Sequence, residues 1–216
     1  MFSECRNLKE TPRLEVDNAE DMESLFEYTG DGTEDLDLSH WKNTKNPNVN
    51  YMFDSANFKS VKLSKDFKLK DINYMFYYYK GKKLDLSDWD MSEITTMQYG
   101  FNGTELEELT LGYTPKLRTL RNTFSSSTEL RKLSAVHCAE IWDTYNAFKG
   151  LWALKDFGGF INLDYSIDIL QCYSLSYESM INILNGLKPA SKSIKFDQEN
   201  VDMLSDDDIA IATSKG

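Results

Sequence analysis

Three cysteines, four prolines, two histidines and eleven glycines are few for 216 residues, and each shortage closes off a class of protein. Cys5, Cys138 and Cys172 are odd in number and lack C-x-x-C spacing, so neither a disulfide framework nor a zinc knuckle is indicated. Two histidines without paired cysteines leave no four-ligand metal site. Positive charge is scarce too: 24 Lys and Arg face 35 Asp and Glu, a formal net charge of −11. That balance removes the field on which non-specific nucleic-acid binding depends, and no basic stripe restores it. No apolar run approaches the roughly 18 to 20 residues of a membrane-spanning helix, and the first twenty residues lack the basic-then-apolar order of a signal peptide. What the chain has in quantity is rings, 12 Phe, 12 Tyr and 4 Trp, within a hydrophobic fraction of 41%. A disordered segment would carry far fewer. A core must take them in.

The rings recur. Phe2, Phe26, Phe53, Phe76, Phe101, Phe124 and Phe148 are separated by 24, 27, 23, 25, 23 and 24 residues. Between these anchors comes a short apolar alternation: Leu36-Asp-Leu38, Val61-Lys-Leu63, Leu84-Asp-Leu86, Leu109-Thr-Leu111 and Leu133-Ser-Ala135, weakening at Phe157-Gly-Gly159. Period-2 alternation predicts one brief strand per repeat with one face buried. From strand to next anchor the apolar residues fall three to five apart, as in Trp89, Ile94, Met97 and Phe101, which predicts a short helical or 3₁₀ return. One such unit cannot bury its apolar face alone; stacked units with parallel strands can.

The wording of the repeats, "MFSECRNLKE", "LDLSHW…VNYMF" and "LDLSDWDMSEITTMQYGF", resembles the BspA-type leucine-rich repeat, with a strand L-x-L-S, a Trp segment and a Met-Phe element recurring in order over residues 1 to 165. Residues 102 to 165 depart from it, with Thr123-Phe124 and Ala147-Phe148 in place of Met-Phe. The fold expected is an α/β solenoid: a right-handed leucine-rich-repeat array of six to seven units over residues 1–165. Residues 166–216 are expected to form a C-terminal helical cap of the same domain. Within them Ser176 predicts a helix start, with Met180, Ile181, Leu184 and Leu187 as its apolar face and Pro189 as its stop; "SIKF" reads as a strand. Ser205 followed by Asp206, Asp207 and Asp208 predicts a second N-cap with acids on the positive end of a helix dipole, a better account of that run than a calcium loop. Met1-Phe2 falls in mid-repeat, so the expectation is a segment of a longer chain, the alternative being a partner subunit that covers the open end.

Catalytic signatures are missing. No phosphate-loop, dinucleotide, nucleophile-elbow or HExxH string occurs. His40 takes the slot of Asp88 in an equivalent turn, and His137 beside Cys138 is an adjacency whose side chains should diverge along a strand. No cofactor, metal ion or enzymatic activity is therefore expected.

What remains is surface. Residues flanking the first apolar strand position form a column one repeat apart that includes Asp35, Asp37, Lys62, Lys83, Asp85, Glu108, Thr110 and Lys132, a mixed-charge face suited to a protein or a glycan. The competing account is a solvated face without a ligand. Tyr77, Tyr78 and Tyr79 form a second candidate, since the ring-rich run around Phe76 cannot all point inward and exposed tyrosine is a common anchor of binding sites; the competing account, slightly favoured, lays these rings flat over neighbouring repeats. By resemblance the function is non-catalytic adhesion or protein binding at a bacterial surface or in a secreted protein, with a host or cell-surface partner and no membrane insertion. The alternative is a scaffold or receptor-binding part of a bacteriophage virion or tail.

Overall fold

The computed structural model describes residues 1–6, 8, 14–189 and 192–215. Alternation of apolar and polar residues does what period 2 requires. In β1 (Asp35–Leu38) and β2 (Ser60–Leu63) every second side chain is buried, and β3 (Lys83–Asp85), β4 (Glu108–Thr110), β5 (Lys132–Leu133) and β7 (Asp156–Phe157) each sink one apolar residue. Pairing is parallel and in the expected register: Leu36 lies against Val61, and Leu84, Leu109, Leu133 and Phe157 follow one another along one ladder. The chain is a parallel β-solenoid of about six turns, one of these strands to each. A shorter ladder joins β6 (Val136–His137) to β8 (Phe160–Ile161), and another joins β9 (Ile167–Asp168) to β10 (Ile194–Lys195). Parallel pairing thus continues beyond residue 165.

The anchors form the spine of the core. From Phe2 through Phe26, Phe53, Phe76, Phe101 and Phe124 to Phe148, successive ring centroids are 5.4, 5.5, 5.1, 5.5, 6.0 and 5.4 Å apart. All but the last of these pairs are stacked nearly parallel. Trp41 and Trp89 pack beside the spine, whereas Trp142 and Trp152 are exposed.

The returns between strands differ from the expectation. Among the described residues before Tyr177 none is in an α- or 3₁₀-helix. Each return is a succession of four-residue turns. In the first, the N–H groups of Leu25, Glu27 and Thr29 donate to the carbonyls of Met22, Ser24 and Phe26, at 3.3, 3.2 and 3.2 Å. The alternate N–H groups of Ser24, Phe26 and Tyr28 donate to Asn50, Met52 and Asp54 of the next coil, at 3.1, 2.8 and 2.9 Å. A helix would bond within itself at i−4; here half the donors bond sideways. The third residue of alternate turns has φ above zero, as a type II turn demands: Ser24 and Tyr28, Tyr51 and Ser55, Tyr74 and Tyr78, Tyr99 and Gly103, Asn122 and Ser126, Asn146 and Gly150. Turns of this length place apolar side chains three to four apart, which is also helical spacing.

At the C-terminal end α1 (Tyr177–Asn185) begins at Ser176, whose hydroxyl accepts the Ser179 N–H at 3.3 Å, and buries Met180, Ile183 and Leu184; Ile181 is only half-buried. It ends at Gly186, ahead of Pro189; the chain there passes so close to Phe160 that a Cβ would sit 1.8 Å from the Phe160 carbonyl oxygen, so only glycine fits. A four-residue turn of helix, α2 (Gln198–Val201), follows, then α3 (Asp206–Thr213), which starts in a reciprocal cap between Ser205 and Asp208, packs against α1 and buries none of its side chains.

Candidate functional site

The strand column is assembled as the register requires, and its charges are turned on one another. Asp37 lies opposite Lys62, and Lys83, Glu108, Lys132 and Asp156 alternate in sign across adjacent strands. Lys83 meets Glu108 at 2.8 Å, and Asp35 accepts the Ser60 hydroxyl at 2.6 Å with Lys59 at 3.8 Å. The Ser60 hydroxyl and then the lysines hold the Asp35 carboxyl below its usual value. Asp37 and Asp85 accept the N–H groups of Ser39 and Ser87, both at 2.9 Å, which tucks each carboxylate into a local turn. Thr110 is half-buried. Exposed cross-strand pairs of this kind add little stability, because solvent screens them, and leave little net field.

The turns carry a different surface. Tyr51, Tyr74 and Tyr99 occupy the same positive-φ position in three adjacent coils, and their rings stack at 4.9 and 4.9 Å with planes 26° and 9° apart. Tyr77 stands edge-on to all three, at 6.1, 5.8 and 6.5 Å, and against Tyr78 at 4.3 Å. Tyr78 is 49% exposed, its ring lying where Gly103 has no side chain: a Cβ there would be 2.4 Å from Tyr78 Cε1. Five tyrosines therefore form one continuous patch. Tyr79 does not belong to it. The sequence places it with Tyr77 and Tyr78 as a surface candidate, but three residues past Phe76 the turn points inward again, and Tyr79 is fully enclosed, edge-on to Phe76, with its hydroxyl donating to the Phe58 carbonyl at 2.8 Å.

Burial, then the hydrogen bond with Tyr78, pushes the Tyr77 hydroxyl up to about 12, and burial raises Tyr51 and Tyr74 as well. These hydroxyls keep their protons at neutral pH. Beside them Asp54 is buried, and desolvation raises its carboxyl although the Ser55 hydroxyl, donating at 2.9 Å, pulls the other way.

Elsewhere the reactive residues are dispersed. His137 is half-buried against Tyr113, ring centroids 4.7 Å apart, while the Cys138 thiol donates to the Val136 carbonyl at 3.4 Å, so the two side chains diverge. All three cysteines are free thiols; burial drives Cys138 far above its usual value and Cys172 up to about 12. Among the described residues no group of three or more His, Cys, Asp or Glu could hold a metal ion, and no helix is long and apolar enough to cross a membrane.

Comparison with known proteins gives a family model, described as a Mycoplasma protein of unknown function, DUF285, that matches residues 1–113 and again residues 60–155. The chain belongs to the DUF285 family. No curated protein and no solved structure matches this DUF285 chain. The finding corrects the BspA-type resemblance, because the repeats matched are those of DUF285 and no BspA-type family is found. The two overlapping matches fit a tandem array, in which one model can be laid on the DUF285 repeats in two registers. Sequence reasoning missed Tyr51, Tyr99 and Asp54 as neighbours of Tyr77 and Tyr78. The signal was present: Tyr51, Tyr74 and Tyr99 each stand two residues before a spine phenylalanine.

Proposed function

We propose that this DUF285 chain is a non-catalytic module that binds a protein partner through the patch formed by Tyr51, Tyr74, Tyr77, Tyr78 and Tyr99. The observation that carries the reading is that these five rings are gathered on one side of three adjacent coils and held there by one another. Tyrosine anchors binding because it offers large contact area with few torsions to freeze, and a pre-assembled cluster has already met most of that cost. The stacked rings spend their faces on each other, which favours a protein over a sugar that would need a free, flat ring face. The strand column of Asp35, Asp37, Lys62, Lys83, Asp85, Glu108, Thr110 and Lys132 is the secondary surface, since Asp35, Lys83 and Glu108 are already paired within the chain.

The same proposal treats the coils as a leucine-rich-repeat variant and α1 with α3 as the closing cap. In support, α1 packs against β7 and β8, and the Asn200 amide donates to the Cys172 carbonyl at 2.8 Å, tying the segment after the last strand to the solenoid. An extracellular or cell-surface site of action completes the reading, and protease shaving of intact cells tests it. For the site itself, a photo-crosslinking residue at exposed position 80, beside the patch, should capture a protein partner in cells, and Tyr77→Ser with Tyr78→Ser should abolish capture while the native circular dichroism spectrum is retained. Unchanged capture in that variant, with loss in Lys62→Glu or Lys83→Glu, would move the site to the strand column.

A further inference from the structure

At the C-terminal end of the solenoid, the last coils and α3 enclose a cleft of about 380 Å³. Its walls include Leu187, Ile194, Phe196 and Leu204, apolar side chains that pack against the core without being sealed, and Ile209, which is 39% exposed. Its charged lining residues are Lys188, Lys192 and Lys215, with no Asp or Glu among them. Each of three other clefts on the molecule carries at least one aspartate, as expected of a chain with net charge −11. Lys215 is fixed in place: its ammonium donates to the carbonyls of Leu184 and Asn185, at 3.2 and 2.7 Å, satisfying the negative end of α1. Among the described residues the side chains of Lys188 and Lys192 form neither an ion pair nor a hydrogen bond.

We propose that this cleft binds a medium-chain fatty acid, with the acyl chain among Leu187, Ile194, Phe196 and Leu204 and the carboxylate at Lys188 and Lys192. The volume falls within the roughly 300–1,000 Å³ of small-ligand clefts. The charge pattern selects the sign of the head group: an anion meets unpaired ammonium groups and no carboxylate, while a cation meets only repulsion. The site is separate from the tyrosine patch and does not depend on the function proposed for it.

Calorimetric titration of the whole chain with dodecanoate, kept below its micelle concentration, tests the assignment, with dodecyltrimethylammonium as the cation of equal tail length. The expected result is saturable one-to-one binding of dodecanoate and at least tenfold weaker binding of the cation. Charge reversal by Lys188→Glu with Lys192→Glu should weaken dodecanoate at least tenfold, and Ile194→Trp, which fills the cleft, should do the same with an unchanged circular dichroism spectrum. Should Ile194→Trp not fold, Ile209→Trp fills the cleft from its exposed side. No saturable binding, equal affinity for both amphiphiles, or affinity that survives both charge reversal and filling overturns the proposal. So does a dimer that Ile209→Trp dissociates, which would give the cleft to a second copy of the chain.

Discussion

None of the twelve phenylalanines is exposed, whereas of the twelve tyrosines, all among the described residues, Tyr79 alone is buried. One oxygen decides the matter, because a buried hydroxyl without a partner costs about 1–3 kcal/mol. Tyr79 is admitted because the Phe58 carbonyl accepts its proton. Tyr79→Phe should therefore lower stability by about 1 kcal/mol in urea unfolding, since the carbonyl left behind is buried with no donor. Asp54 offers a pH-dependent counterpart. Burial sets its folded pKa above 3.8, so the fold favours the protonated carboxyl. That contribution is complete below pH about 3.8 and is lost as pH rises through the folded value. Asp54→Asn should accordingly melt at a higher temperature than the parent at pH 7, the gap closing toward pH 3. The phenylalanine anchors were legible in the sequence because seven of them kept one register. The tyrosines were not, since a count of rings does not distinguish those that carry a hydroxyl.

Strands and helix starts were the legible elements. Alternation located every strand of the main column, and Ser176 and Ser205 located α1 and α3 through the hydrogen bonds their side chains make. The returns were misread because spacing of three to four is shared by a helix and by a chain of four-residue turns; what separates them is where the alternate N–H groups go, and that depends on the next coil. The end of α1 lies at Gly186, before Pro189, and the close approach to Phe160 that requires a glycine there comes from another coil. Two variants probe these elements. Phe76→Ala opens a void between Phe53 and Phe101 and should cost about 3–5 kcal/mol by denaturant unfolding. Gly103→Ala, at φ +67° with the Tyr78 ring in the way, should cost about 1–3 kcal/mol and displace that ring from the patch, which a fall in partner capture by the position-80 crosslinker would register.

For the molecule as a whole, the strand column shows how far sequence register reaches. It placed Lys83, Glu108 and Lys132 in line, yet the ion pair that joins Lys83 to Glu108 across coils follows from rotamers and distances that spacing does not encode. The family resemblance misled for a related reason: short words such as L-x-L-S and Met-Phe meet demands that any narrow parallel coil makes, so they report the packing problem more directly than descent. The thiols report on the integrity of the whole array. Cys138 and Cys172 are buried and shifted toward the protonated form, and Cys5 is half-exposed. Iodoacetamide with mass spectrometry should label Cys5 in the native protein, and Cys138 and Cys172 only as the solenoid unfolds.

The sideways hydrogen bonds of the turns have a mechanical corollary. Because each coil is joined to its neighbours along strand and turn alike, tension applied to the two ends loads the outermost coil first and the inner ones only through it. Pulled in an optical trap, the molecule should yield in steps, each freeing one coil of roughly 24 residues, or about 80 Å of extended chain.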